Sequence, residues 1–175
     1  MSDFVQTMLA YGRAGSRGVN LSDCDCELVL ASVRQSLREE IESNGAKITS
    51  DRLPLIRADP VLLAELLQNL IENGTKYRGS TPPQIHVSTT ANSGDWLFSI
   101  SDNGIGMAPE DCARAFDAFY RGAGVESVTR FRLGLATCKR IVDRHAGRIE
   151  AESSAGDGST FTFIIPYPPA ASGIS

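Results

Sequence analysis

Two amides and an ammonium group stand at helical spacing in Asn69-Leu70-Ile71-Glu72-Asn73-Gly74-Thr75-Lys76-Tyr77. Asn69 and Asn73 are four residues apart, so their side chains share one helix face, with Lys76 further along. Neutral oxygen ligands beside a cation suit a magnesium ion and the phosphates it bridges. The same residue types at a helix end also serve as caps and solvated groups. A second cluster, Asp102-Asn103-Gly104-Ile105-Gly106, follows a strand pattern. Its carboxylate can accept a hydrogen bond from an exocyclic amine while the glycines let a flat ring approach the backbone. The plainer reading is a glycine-rich turn that closes a strand. Phe116-Asp117-Ala118-Phe119-Tyr120-Arg121 reads either as a core anchor with a surface charge or as an apolar hinge holding a cation near a transferring phosphoryl group. Finally, Leu133-Gly134-Leu135-Ala136-Thr137-Cys138-Lys139-Arg140-Ile141-Val142 sets a small residue at the opening of a helix, where unpaired N–H groups attract anions.

Elements with recognisable start and stop signals must hold these clusters. Asp59-Pro60 predicts an N-cap and first turn for a helix over residues 60–76, with Leu62, Leu63, Leu66, Leu67, Leu70 and Ile71 as its apolar stripe. Residues 84–90 and 95–101 predict a hairpin turning at Asn92-Ser93-Gly94, and short strands are expected at 46–50 and 55–58. Upstream, Ser22 and Asp23 can cap a helix with Leu30, Val33, Leu37 and Ile41 on one face, ending near Asn44-Gly45 and packing on a sheet. A short helix near 109–116, a helix over 135–145 ended by Ala146-Gly147, and strands at 148–153 and 160–165 complete the pattern. The fold class expected is α/β (α+β): a two-layer sandwich with a mixed, largely antiparallel sheet covered by helices on one face.

Composition narrows the function. With 175 residues, 42% hydrophobic and 22% charged, the chain has the size and composition of one globular domain. Seventeen Lys and Arg against 21 Asp and Glu give a net charge of −4, and no basic run supplies a nucleic-acid or anionic-membrane footprint. No apolar run reaches the ~18 residues that cross a bilayer, and Met1-Ser2-Asp3 lacks a basic leader region, so a cytoplasmic domain without membrane contact is expected. Cys24, Cys26, Cys112 and Cys138 show no paired C-x-x-C spacing, which gives a zinc site poor support.

The order and spacing of the four clusters resemble the catalytic ATP-binding domain of sensor histidine kinases, the Bergerat fold shared with gyrase B and MutL. Residues 69–77 resemble the N box, 102–106 the G1 box, 116–121 the F box and 133–142 the end of the G2 box. Ala10-Tyr11-Gly12-Arg13, Leu53-Pro54, Lys76-Tyr77-Arg78 and Trp96-x-Phe98 look most like the phytochrome-related branch. The resemblance implies ATP and Mg2+ as cofactors, with Asn73 as metal ligand, Asn69 beside it, Lys76 on phosphate and Tyr77 against adenine. It further implies that Asp102 accepts from the adenine amine, that Gly104 and Gly106 shape the base pocket, and that Arg121 approaches the γ-phosphate. Gly134 would open the phosphate-binding helix, flanked by Leu133 and Leu135, beneath a lid over residues 120–133. The implied reaction moves the γ-phosphoryl group of ATP to a histidine, catalysed by positioning and charge stabilisation.

The chain departs from the family pattern in two places. Where G-x-G-x-G is usual, Arg130 and Arg132 replace the first two glycines; a left-handed backbone there would cost ~1–2 kcal/mol for each arginine, although guanidinium groups also pair well with phosphate. Gly74 stands where alanine is usual, at about 1 kcal/mol of helix propensity. Neither histidine has an acceptor-like setting. His86 reads as a strand surface residue and His145 as a charged helix C-cap. The acceptor is therefore expected on a dimerisation and histidine-phosphotransfer domain outside this chain, with a response regulator downstream. Residues 1–18 read as the end of a dimerisation helix and a linker, 19–166 as the catalytic domain and 167–175 as a tail, and this fragment of a longer kinase is expected to be monomeric. The arginines motivate an alternative, a degenerate regulatory domain with an altered lid. A hydrolytic ATPase is disfavoured, because Asn69 is an amide where a proton-accepting glutamate would be needed.

Overall fold

The computed structural model describes residue 9, residues 18–117 and residues 128–167, the side chains of 128–133 excepted. In chain order its elements are β1 (Ser22–Asp25), α1 (Cys26–Ser36), α2 (Arg38–Asn44), β2 (Lys47–Ser50), β3 (Leu55–Ala58), α3 (Pro60–Lys76), β4 (Gln84–Asn92), β5 (Asp95–Asp102), α4 (Pro109–Ala113), α5 (Val128–Arg144), β6 (Arg148–Ser153) and β7 (Ser159–Pro166).

The period-2 alternation of the strands builds a five-stranded sheet in the order β2-β4-β5-β7-β6. Only the β2–β4 pair is parallel; the other neighbours run antiparallel. Ile85, Val87, Phe98, Ile100, Phe161, Phe163 and Ile165 turn inward and are buried, with Phe98 and Phe163 stacked at 4.8 Å between ring centroids. On the opposite face, Ser99 meets Thr162 and Ser101 meets Thr160, all half-buried hydroxyls. The two faces thus divide as expected, one covered by helices and the other more open. At the hairpin tip Ser93 and Gly94 have φ of 27° and 91°. These are the positive values a two-residue turn needs to match strand twist.

Helix α3 is the central element of the helical layer. Asp59 caps it by accepting from the N–H groups of Val61 and Leu62 at 3.0 and 3.2 Å, with Pro60 in the first turn. Its leucine stripe is buried as predicted. Helix α5 runs antiparallel to α3: His145 meets Asp59, the Cys138 thiol lies 3.8 Å from the Leu66 carbonyl, and Gly134 lies against Asn69.

Three expectations need correction. Residues 22–25 form a strand paired antiparallel with residues 55–58, so the N-cap of the first helix is Asp25, bonded to the N–H of Glu27 at 3.0 Å. The helix expected to run through to Asn44 breaks at Leu37 into α1 and α2, and α1 packs chiefly on α3 instead of on the main sheet. The largest difference lies in α5, which begins at Val128 instead of near Leu135. Arginine and leucine are good helix formers, and without glycines at 130 and 132 nothing in the sequence stops the helix from extending N-terminally. The backbone cost assigned to the two arginines for a left-handed conformation does not arise, because residues 128–144 are helical.

Candidate functional site

The C-terminal end of α3 meets the end of β5 at a glycine. A Cβ on Gly74 would stand 2.8 Å from the Ile85 side chain and 3.1 Å from Asp102 Cβ. The residue that departs from the expected alanine therefore lets the amide-bearing helix pack close to Ile85 and to the Asp102 Cβ. Asn73, one residue earlier, is 8% exposed, and its amide Nδ2 is buried without a hydrogen-bond partner. Burial of an amide without compensation costs roughly 1–3 kcal/mol, so an amide in that state fits a site that takes up an external ligand. Neutral amide oxygen is also a chemically suitable donor for Mg2+. Asn69 is half-buried; its Nδ2 donates to the Glu65 carbonyl at 3.0 Å, which leaves Oδ1 facing α5 at Gly134. Lys76 is exposed in the last turn.

Asp102 is held at the end of β5 with its carboxylate accepting the Gly104 N–H at 2.9 Å and the backbone N–H of Ser159. Burial pushes its pKa above the ordinary value, and those two donors pull it back down. Gly104 is buried so close to the Tyr77 carbonyl and Asp102 Oδ1 that no side chain fits there. Gly106 has φ of +70° and faces the Ser154 carbonyl. Two backbone bonds fix this loop: Ile105 N–H donates to the Tyr77 carbonyl at 3.0 Å, and Gly156 N–H donates to the Ile105 carbonyl at 2.7 Å. Tyr77, expected as a ring against adenine, thus also ties the loop through its main chain.

The third cluster is described only in part. Phe116 packs edge-on against Phe161 at 6.4 Å, as the core-anchor reading requires. Arg121, with Phe119 and Tyr120, lies outside the described residues, as do the side chains of Arg130, Arg132 and Leu133 and most of the expected lid. Leu135 is fully buried and belongs to the core. Gly134 is not the opening residue of a helix, since α5 already runs through it. Its lack of a side chain serves a close approach instead: a Cβ there would lie 3.3 Å from Asn69 Oδ1.

Between β6 and β7 the chain turns at Gly156-Asp157-Gly158. The structure gives that turn a role at the site. Gly158, with φ of +79°, packs against the Asp102 carbonyl, Ser159 bonds the Asp102 carboxylate, and Ser153 bonds the N–H of Met107 at 2.7 Å. Two glycines flanking an aspartate, followed by a hydroxyl residue, were the available signal. His145 takes its expected place at the C-terminal end of α5 and has a second partner there. Its Nε2 accepts the Asp59 N–H at 3.1 Å and its Nδ1 faces the Ile141 carbonyl at 2.8 Å, an arrangement satisfied by one ring proton, on Nδ1.

Residues 58–169 match the family described as Histidine kinase-, DNA gyrase B-, and HSP90-like ATPase. Cyanobacterial phytochrome A from Nostoc sp. (strain PCC 7120 / SAG 25.82 / UTEX 2576) is 38% identical over 166 residues, which cover 95% of this chain and 22% of that protein. Full-length ShkA, solved in complex with AMPPNP, superposes with a TM-score of 0.76 at 28% identity, covering 93% of this chain and 35% of that one. The histidine kinase ThkA, solved in complex with the response regulator protein TrrA, shares the fold with a TM-score of 0.72 at 21% identity, covering 95% of this chain and 47% of that one. No described helix is long and apolar enough to cross a membrane. The chain belongs to the histidine kinase-, DNA gyrase B- and HSP90-like ATPase family, and within it to the catalytic ATPase domains of sensor histidine kinases.

Proposed function

We propose that the domain binds MgATP where the end of α3, the loop over residues 102–107 and α5 converge, and that it delivers the γ-phosphoryl group to a histidine on a dimerisation and histidine-phosphotransfer domain of the parent protein. The observation that carries this reading is the buried Asn73 Nδ2, a donor without a partner that a phosphate oxygen would satisfy, one residue before the point where α3 packs near the Asp102 Cβ. In this reading Asp102 accepts from the adenine amine, Gly104 and Gly106 shape the pocket by letting its loop pack against the Tyr77 and Ser154 carbonyls, and Tyr77 flanks the base. Asn73 would hold Mg2+ through its amide oxygen, with Asn69 on the same face. The ion, when bound, neutralises charge on the phosphates. Lys76 and Arg121 would bring cations to the phosphate chain, and Arg130, Arg132, Leu133 and Gly134 would belong to the segment over it, whereas Leu135 stays in the core. In the transfer, the bond from the γ-phosphorus to its bridging oxygen breaks, a bond to an imidazole nitrogen forms and ADP leaves. The domain contributes orientation and charge stabilisation. A response regulator would then take the phosphoryl group from the histidine.

Mixing the domain with labelled ATP and the parent's acceptor domain tests the reading: acid-labile, base-stable label on the acceptor is expected, and its absence alongside normal ATP binding contradicts phosphoryl transfer. One observation favours a second reading, a regulatory domain that binds nucleotide without transferring from it. With α5 beginning at Val128, the helix N-terminus stands well before Gly134, away from the position where a G-x-G-x-G segment would present free N–H groups. Substituting Arg130→Gly/Arg132→Gly separates the two, since a transfer rate restored by the glycines identifies the arginine segment as a block.

A further inference from the structure

The hydroxyl of Ser153 makes every bond a serine hydroxyl can make. It accepts the Met107 N–H at 2.7 Å, donates to the Gly158 carbonyl at 2.7 Å and meets Ser159 Oγ at 2.9 Å. With its single proton given to Gly158, the Ser159 hydroxyl must be the donor in the third bond. Met107 is 9% exposed, so its N–H has no ready substitute in water. Through these bonds one side chain on β6 joins the end of the 102–107 loop to the turn that packs on Asp102 from the other side. That turn touches Asp102 twice more, through the Gly158 backbone against its carbonyl and the Ser159 N–H on its carboxylate. It also donates from Gly156 N–H to the Ile105 carbonyl at 2.7 Å.

We propose that Ser153 is a positioning residue of the base pocket, because its hydroxyl locks the 102–107 loop and the β6–β7 turn into one unit that presents the Asp102 carboxylate at a fixed place. The proposal rests on the nucleotide-binding reading above and goes beyond it in assigning to a residue outside the four clusters a share of recognition of the base alone. Ser153 lies on the Asp102 side, and the amides of Asn69 and Asn73 stand on a different element, so its loss is felt by the base and not by the phosphates.

Threonine and valine have nearly the same shape and differ by the hydroxyl, so Ser153→Thr and Ser153→Val isolate its effect. Calorimetry with MgADP and with magnesium tripolyphosphate, and amide hydrogen exchange at Met107 without nucleotide, provide the readouts. The expected result is that Ser153→Val binds MgADP about ten-fold more weakly, a change of about 1.4 kcal/mol, while Ser153→Thr stays within about three-fold of wild type, a change under about 0.7 kcal/mol. Magnesium tripolyphosphate affinity stays unchanged in both, and Met107 exchanges faster in Ser153→Val alone. Equal MgADP affinities in the two variants overturn the proposal, and so does a loss of tripolyphosphate binding in step with MgADP, which marks a general structural role. Wild-type protein that binds no nucleotide defeats the nucleotide reading itself. The lock is then judged by Met107 exchange, and equal protection in the Thr and Val variants overturns it.

Discussion

Gly134 on α5 and Asn69 on α3 face each other so closely that a β-carbon on the glycine would stand 3.3 Å from the asparagine Oδ1. Two of the separate sequence clusters thus come into contact, and the empty Cα of one sets where the amide of the other can lie. Gly134→Ala therefore separates stability from function. Alanine in a helix interior is favoured over glycine by about 1 kcal/mol, so the melting temperature is expected to hold or rise. The displaced Asn69 amide is expected to weaken MgATP binding several-fold in calorimetry. A loss of stability with unchanged affinity would contradict this account.

Gly74→Ala has the opposite balance. The same helix-propensity gain of about 1 kcal/mol meets a β-carbon 2.8 Å from the buried Ile85 side chain and 3.1 Å from Asp102 Cβ. Overpacking of this kind costs roughly 1–3 kcal/mol, so chemical denaturation should show net destabilisation or no gain. MgATP affinity should fall as well, because Asp102 is pressed along with Ile85. A clear rise in stability would show that the helix and β5 are free to part.

Asp102→Asn tests the price of a buried carboxylate. Burial raises the folded-state pKa of Asp102 above its ordinary value. The native state therefore holds its proton more tightly than the unfolded chain, and stability attributable to this group falls as pH rises from the unfolded toward the folded pKa. At neutral pH the asparagine variant is expected to be more stable than wild type, with the difference shrinking as pH drops into the carboxylate range. The same variant should lose recognition of the adenine amine. Denaturation curves at neutral and acid pH check the first expectation and calorimetry the second.

His145 joins the far ends of the two site helices by accepting the Asp59 N–H. His145→Leu leaves that N–H buried without a partner, at a cost of about 1–3 kcal/mol. Denaturant midpoints should fall accordingly, and His145→Gln, which restores an acceptor, should recover part of the loss. Equal midpoints for the two variants would mean that the bond contributes nothing.

Much of the fold was legible because its signals were local. Asp59-Pro60 announced α3, the leucine stripe gave its buried face, and Trp96, Phe98 and Ile100 alternated as a strand with one face covered. The amide helix and the carboxylate turn were legible as chemistry from residue type and spacing. The break at Leu37 and the pairing of residues 22–25 with 55–58 depend on tertiary packing, and a run as short as Ser22–Asp25 carries no periodicity that separates strand from cap. Gly74 looked like a propensity defect because helix scales contain no neighbour, and only the approach to Ile85 and Asp102 shows its use. The start of α5 was misplaced because glycine positions were read by family pattern, whereas the arginines actually present support a helix. The cap position of His145 was legible but its second partner was not: a sequence shows the helix end but not the Asp59 N–H arriving from another helix.

In the proposed site the Asn73 amide and the Asp102 carboxylate hold a single nucleotide between them. Calorimetric titration of MgATP into wild type, Asn73→Ala and Asp102→Ala measures this directly. Binding in the micromolar range corresponds to about 8 kcal/mol; each substitution is expected to remove at least about ten-fold, or about 1.4 kcal/mol, while circular dichroism confirms that the fold remains. Equal affinity in all three folded proteins would contradict the account.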